Sequence, residues 1–500
     1  MRRPARLVAV VVALASALVL AACTAGGGTD NGAGDGTDAS VTVGLVLEPT
    51  DLDIRATSGA ALDQVLIDNV YEGLVSRTAD GEIRPSLATT WDISDDGLSY
   101  TFHLADGVRF HSGDPMTVDD VVWSLSQVRD NADVVEHAAF ANVTGIEATD
   151  ESTVTLTLSA PDSNLLWNLS SRAGLVLEED ATNDLSTSAN GTGPFTLTGW
   201  KQGDSITLDR FDDYWGEPAK VSEVVFAYIP DFTAAIGAVI AGDVDVQTAI
   251  DPNLRSQLDG VDDVSVVEGR TTDKFTLAFN NKRAPLDDVR VRKALRLAID
   301  HQAIIDATGG AGVEMGGPIP ELDPGYEDLT DTRPFDPDQA RALLAEAGHP
   351  SLSLTLTMPS FYGSTVSNVL VSQFKDVGVT LTVKNVEFAT WLNDVYTNKD
   401  YDLSFVDHLE ARDFGSWANP DYYFGYDNPE VQRLYAESVA AVDTGVAAEK
   451  LKEAARIVAE DHAADWLYNG LTLTAIRDGI TGFPTDSPNA RLDLSELAVS

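Results

Sequence analysis

The stretch DGLSYTFHLADGVRFHSGDPMTVDDVVWSLSQVR, residues 96–129, decides how the chain is read. SYTFHL at 99–104 alternates polar and apolar residues, the period of a half-buried strand. Gly107, Gly113 and Pro115 then punctuate tight turns. Thr117 stands where an N-cap belongs, and Val118, Val121, Val122, Leu125 and Val128 fall on one face of a helix over 118–130. A strand, a pair of turns and a capped helix in 34 residues point to a mixed α/β body.

The same grammar continues on both sides. VTVGLVL from Val41, TVTLTLS at 153–159 and FTLTGW at 195–200 read as strands, as do 352–358, 379–386 and 401–406. Residues 62–75 carry Leu62, Val65, Leu66, Val70 and Leu74 at helical spacing. Residues 288–307 read as one helix behind Asp287-Asp288. Residues 337–347 read as a helix capped by Asp336, with Pro337 in its first turn and Gly348 just past its end. A last amphipathic helix covers 446–461. No repeat of 20–50 residues is present.

The N-terminus is of a different kind. Arg2, Arg3 and Arg6 precede an apolar run from Leu7 to Ala22, too short for a membrane span of ~20 residues. It ends in Leu20-Ala21-Ala22-Cys23, which resembles the bacterial lipobox. Cys23 is the only cysteine, so disulfides are excluded, and the resemblance implies that it becomes a lipidated mature N-terminus. Cleavage would remove three arginines and take the net charge from −46 to −49. Such acidity argues against nucleic acid. Residues 24–40 hold six glycines and no large apolar side chain, a flexible tether with a reach of ~20 Å.

Catalytic constellations are scarce. There is no HExxH, no P-loop and no GxSxG. The glycines of 309–317 do not fit dinucleotide spacing. The seven histidines offer no pair three to five residues apart. The chain therefore reads as a binding protein and not an enzyme, with no cofactor and no resident metal.

Four stretches carry a resemblance: PSLATTW (85–91) together with 96–129; GTGPFTLTGWKQGDSITLDRFDDYWG (191–216); LAFNNKRAPLDDVRVRKALRLAIDHQAII (277–305); and FDPDQARALLAEAGHP (335–350). Their order and spacing resemble the family-5 extracellular solute-binding proteins of peptide and nickel transporters. Most of their marked residues, Trp200, Tyr214 and Trp215 among them, have packing roles. The resemblance implies a periplasmic-binding-protein-like two-lobe α/β fold (type II, cluster C) with an extra subdomain on lobe I. Carried onto this chain, residues 1–22 are a signal peptide and 23–40 the lipidated tether. Lobe I comprises 41–82, 190–278 and 466–500; the subdomain is 83–189; lobe II is 279–465. The lobes cross near 276–281 and 464–470.

The implied function is capture of short peptides for an ABC permease and ATPase complex, by a monomer lipid-anchored on the outer face of the cytoplasmic membrane. In peptide-binding relatives an aspartate of lobe II meets the ligand amino terminus. The corresponding segment here is HLEARDFGSWANPDYYFGYDNPEV, 408–431. Asp413 is the expected anchor, with Glu410 and Asp407 as rivals and an ion pair with Arg412 as its structural alternative. Thr57, Ser58, Gly59, Asn190, Thr192 and Trp417 are the remaining expected ligand contacts. His408 is the one support for a nickel or other metal-chelate ligand. Trp417, Tyr422 and Tyr423 would suit an oligosaccharide. A pheromone receptor without transport is a further alternative.

Overall fold

A computed structural model describes residues 38–487 and 491–500; Cys23 and the leader before it lie outside the described residues. Ten strands carry the architecture: β1 (Ser40–Leu45), β2 (Phe195–Lys201), β3 (Ser205–Arg210), β4 (Glu223–Tyr228), β5 (Val246–Gln247), β6 (Val264–Phe279), β7 (Leu352–Pro359), β8 (Val379–Val386), β9 (Leu403–His408) and β10 (Ala464–Arg477). They lie in the order β8-β7-β9-β6-β10-β5-β1-β4-β3-β2, and Gly312–Val313 adds an eleventh strand on β10.

β6 and β10 are long, 16 and 14 residues, and antiparallel, so they run through both halves of the sheet. Their register breaks twice, between Arg270 and Lys274 and again between Phe275 and Thr276, and the first break is the larger. Arg270 pairs with Leu471 and Lys274 with Asn469, leaving Thr271, Thr272 and Asp273 opposite Gly470 alone. A bulge of this kind bends a strand and re-aims its side chains. The Thr271 hydroxyl donates to the Gly470 carbonyl at 2.6 Å, and Asn469 Nδ2 donates to the carbonyls of Thr271 and Asp273.

Each half has its own core. One gathers Val41, Val43, Phe195, Ile206, Val224 and Phe226; the other gathers Leu277, Phe279, Leu295, Leu354, Leu370 and Phe405. A separate four-stranded antiparallel sheet over residues 88–158 packs its own core against the helix Val118–Asp130. That helix begins as its sequence dictates: Thr117 and Asp120 form a reciprocal capping box. No helix of the described residues is long and apolar enough to cross a membrane.

Two helical expectations need correction. The pattern over 62–75 yields a helix only from Ala60 to Leu66. Asp68 turns left-handed (φ 64°), and its carboxylate takes Ser76 Oγ and the Arg491 guanidinium, a buried network that outweighs the periodicity. The pattern over 288–307 divides into Val289–Leu297 and His301–Ala307. Asp300 accepts from Ala303 N and starts the second helix afresh. Pro337–Glu346 and Thr444–Glu460 stand close to where they were expected.

Candidate functional site

Beside the first register break is a cavity of about 700 Å³. Its walls come from Leu47 and Gly59–Gln64 on one side, Leu409–Ala411 on the other, and Thr271 and Asp273 between them. Glu136 and Arg172 complete it from the small-sheet region. Chain segments far apart in sequence thus meet at the place where the two long strands bend.

The chemistry here centres on Lys274. Its side chain leaves the strand just after the bulge and is buried, at 2% exposure. Its ammonium donates to the carbonyls of Thr272 (3.0 Å) and Glu410 (2.8 Å), and Asp413 Oδ1 lies 3.4 Å away. Asp273, Asp323, Asp407, Glu410 and Asp413 are the acids whose fields meet around it. Five carboxylates share this lysine. Burial, with Glu410 adding like-charge repulsion, pushes Asp273 and Asp413 up to about 6 despite the lysine. Asp407 is raised further by burial and by Asp273, and its Oδ1 is buried with no hydrogen-bond partner.

The cluster has a measurable consequence. Asp273 binds its proton more tightly folded than unfolded, so the folded state holds more protons between about pH 4 and 6, and stability falls as pH rises through that window. At pH 7 the ionised Asp273 is a net cost. The Asp273→Asn variant is expected to exceed the wild type in stability by about 1–3 kcal/mol at pH 7. That margin should shrink as the pH falls to 4, read by urea unfolding of both proteins. A pH-independent difference would remove the carboxylate repulsion from the account.

The residues named from sequence divide clearly. Asp413 meets Lys274, and its neighbour Arg412 turns away (φ 56°), donating its N–H to Asp323 and laying its guanidinium 4.1 Å from the Trp167 ring. Glu410 is exposed and lines the cavity, and its carboxylate has no hydrogen-bonding or ionic partner among the described residues. Gly59 lines the cavity as well, and Ser58 beside it is exposed. The carbonyls of Thr57 and Gly59 are both taken by Arg172.

Other expected contacts are structural. Trp417 is 3% exposed, stacked on Phe424 at 4.1 Å and edge-on to Trp466, so neither face is open to a ligand. Tyr423 is buried as well, which leaves Tyr422 alone of the three expected stacking rings partly exposed. Thr192 is fully buried and donates to Glu72, whose carboxyl also holds Tyr214 and Trp215. Asn190 bonds Ser112 N–H and Glu178. The glycines beside it are there for close approach: a Cβ on Gly191 would stand 1.9 Å from the Val70 carbonyl.

His408 accepts or donates at Tyr423 Oη (2.9 Å), and burial with the Lys274 charge pushes it down to about 3. It is a neutral imidazole. The ligand atoms of His408, Glu410 and Asp413 come within 4.8 Å of one another. A metal ion at that point would face the Lys274 ammonium already paired with Asp413, which argues for a cation-binding site already filled by the chain itself.

Sequence reasoning missed Lys274, Asp273, Asp63, Glu136 and Arg172. The only sequence signal was the polar and charged run Glu268 to Lys274, which interrupts the apolar residues at either end of the strand. Such a run inside a strand marks either an edge or a bulge, and here it marks the bulge.

Comparison with known proteins gives a consistent picture. Residues 82–448 match the family model of bacterial extracellular solute-binding proteins, family 5. The heme-binding protein A of Haemophilus influenzae is 32% identical over 329 residues, 60% of this chain and 59% of that protein. The dipeptide-binding protein of Escherichia coli is 29% identical over 322 residues, 58% of this chain and 60% of that one. The matched region thus spans about three fifths of the length of these two relatives. Among solved structures, an ABC transporter substrate-binding protein from Listeria monocytogenes superposes with a TM-score of 0.82 at 24% identity, covering 93% of this chain and 99% of that one.

Proposed function

The chain belongs to family 5 of the bacterial extracellular solute-binding proteins, and from that premise we propose that it captures short peptides between its lobes and presents them to an ABC permease and ATPase complex. The observation that carries the reading is the cavity of about 700 Å³ at the bend of the two long strands, with the unpartnered Glu410 on its wall. The dipeptide-binding name of one relative supports the ligand class.

In this reading residues 41–82, 190–278 and 466–500 form lobe I, 83–189 its subdomain and 279–465 lobe II. The lobes bend where Thr271–Asp273 face Gly470, since hinges are short segments that absorb the dihedral change. A peptide lies in the cavity beside Leu409–Ala411. Its ammonium meets Glu410, with Asp273 beside it. Asp413 is the inner acid of the same cluster and acts through Lys274. The role is binding, not catalysis. The protein works as a monomer held to the outer face of the cytoplasmic membrane by lipid on Cys23.

Calorimetry with short peptides on two variants tests the assignment. Glu410→Gln is expected to weaken binding by tenfold or more without lowering the melting temperature, because the side chain is exposed and only repels its acidic neighbours. Asp413→Ala is expected to weaken binding less than Glu410→Gln, because Asp413 engages Lys274 and does not line the cavity. Full affinity in Glu410→Gln would remove Glu410 from the site.

A further inference from the structure

The charges facing the cavity do not balance. Its lining holds the carboxylates of Asp63, Glu136, Asp273 and Glu410 and one cation, Arg172. With all ionised, the net charge is −3. The chain is acidic throughout, so a count alone decides nothing; what decides is how the positive groups are used.

Arg172 is fully engaged. Its Nε pairs with Asp63 at 2.5 Å, and its two terminal nitrogens donate to the carbonyls of Thr57 and Gly59. Lys274, just behind the wall, spends its donors on two carbonyls and Asp413. Arg55, near Arg172, is turned onto the carbonyls of Arg172 and Leu175. No lining cation among the described residues is therefore left to receive an anion.

The neighbouring chamber repeats the imbalance. It has a volume of about 570 Å³ and lies between the small-sheet region and the 412–451 segment. Asp80, Glu82, Asp323 and Asp413 line it, against the single cation Arg412. Arg412 is pressed on the Trp167 ring, whose other contact is Arg77, also 4.1 Å from the ring centroid. A ligand reaching past Ala411 would still meet an excess of acid.

A zwitterionic dipeptide needs a partner for each end, and an unpaired charge taken from water into a partly buried cleft is strongly disfavoured. This cleft offers carboxylates for the amine and, for the carboxylate, no free cation, only uncharged donors such as Gln64, Thr472 and Thr474. We infer that the cleft selects a ligand that is cationic overall within the chamber, an amine or a peptide whose carboxyl end is capped as an amide, and rejects small zwitterions. The inference rests on the peptide-binding reading for its location and narrows the ligand class. The raised affinity of Asp273 for protons agrees with it, because a second cation would relieve the repulsion that causes it.

The test is calorimetry of the folded protein with three probes: alanyl-alanine, alanyl-alanine amide and 1,4-diaminobutane. The amide is expected to bind at least tenfold more tightly than the free acid. Gln64→Arg, which adds a cation to the same wall, is expected to narrow that ratio. Equal or tighter binding of the free acid overturns the inference and leaves peptide binding standing. Binding of the diamine alone upholds the inference and overturns the peptide reading. Binding of none of the three overturns the inference.

Discussion

The Lys274→Met variant is expected to lose about 3–5 kcal/mol of stability at pH 7–8, because a buried ion cluster is costly to break from one side. Methionine fills nearly the same volume, so packing is largely kept and the charge is what leaves. Asp273, Asp407 and Asp413 would then face one another and Glu410 with no cation among them. They would respond by holding protons more tightly. Much of the loss is therefore expected to disappear by pH 5, and urea titrations at pH 5 and pH 8 read the difference. A loss that is the same at both pH values would mean that Lys274 matters for its alkyl stem and not for its charge. A cationic ligand should also raise the melting temperature of this variant more than that of the wild type, because it supplies the missing charge.

The second large effect lies away from the cleft. Asp465 and Arg296 have no solvent exposure, and His301 has little. Asp465 accepts from Arg296 Nε (3.3 Å) and sits 2.7 Å from His301 Nε2. Arg296 also donates to the carbonyls of Ala459 and Gly316 and lies over the Trp466 ring. This network ties the helices Val289–Leu297 and His301–Ala307 to the start of β10. Burial alone would raise the Asp465 carboxyl, yet His301 and Arg296 hold it well below the usual carboxylate range. Asp465→Asn is expected to cost about 3–5 kcal/mol, since Arg296 is left buried without its counter-ion.

The sign of the pH dependence separates the two variants. A carboxyl with a depressed folded value gives stability that is present above its unfolded value near 4 and lost only as pH falls through the folded value. The Asp465→Asn penalty is thus expected to persist from pH 8 down to about 5, where the Lys274→Met penalty fades. Parallel denaturation series on both variants check this. An Asp465→Asn penalty that fades by pH 5 would contradict the depressed carboxyl.

Local signals in the sequence were legible where one residue settles the matter. Thr117 with Asp120 starts its helix, Asp336 with Pro337 starts another, and alternation over 99–104 and 379–386 gives strands of those spans. The family motifs were legible because they are packing devices, as Gly191 and Thr192 illustrate. What escaped depends on partners distant in sequence. Asp68 breaks a helix because Arg491, at the far end of the chain, requires its carboxylate. Trp417 has the composition of a stacking residue, but Phe424 and Trp466 close over it. Asp413 was named for its carboxyl, while the lysine that engages it comes from β6. Alternation cannot reveal a three-against-one bulge, and that bulge is what turns Asp273 and Lys274 toward the site.

The most direct test is equilibrium dialysis of the purified protein against a mixture of short peptides, peptide amides and simple amines, followed by mass spectrometry of what is retained. One solute per protein is expected, recovered with its mass unaltered, with retention enriched in cations and weakened in Glu410→Gln. Fragmented solutes, or a protein that retains nothing from the mixture, would contradict the binding role.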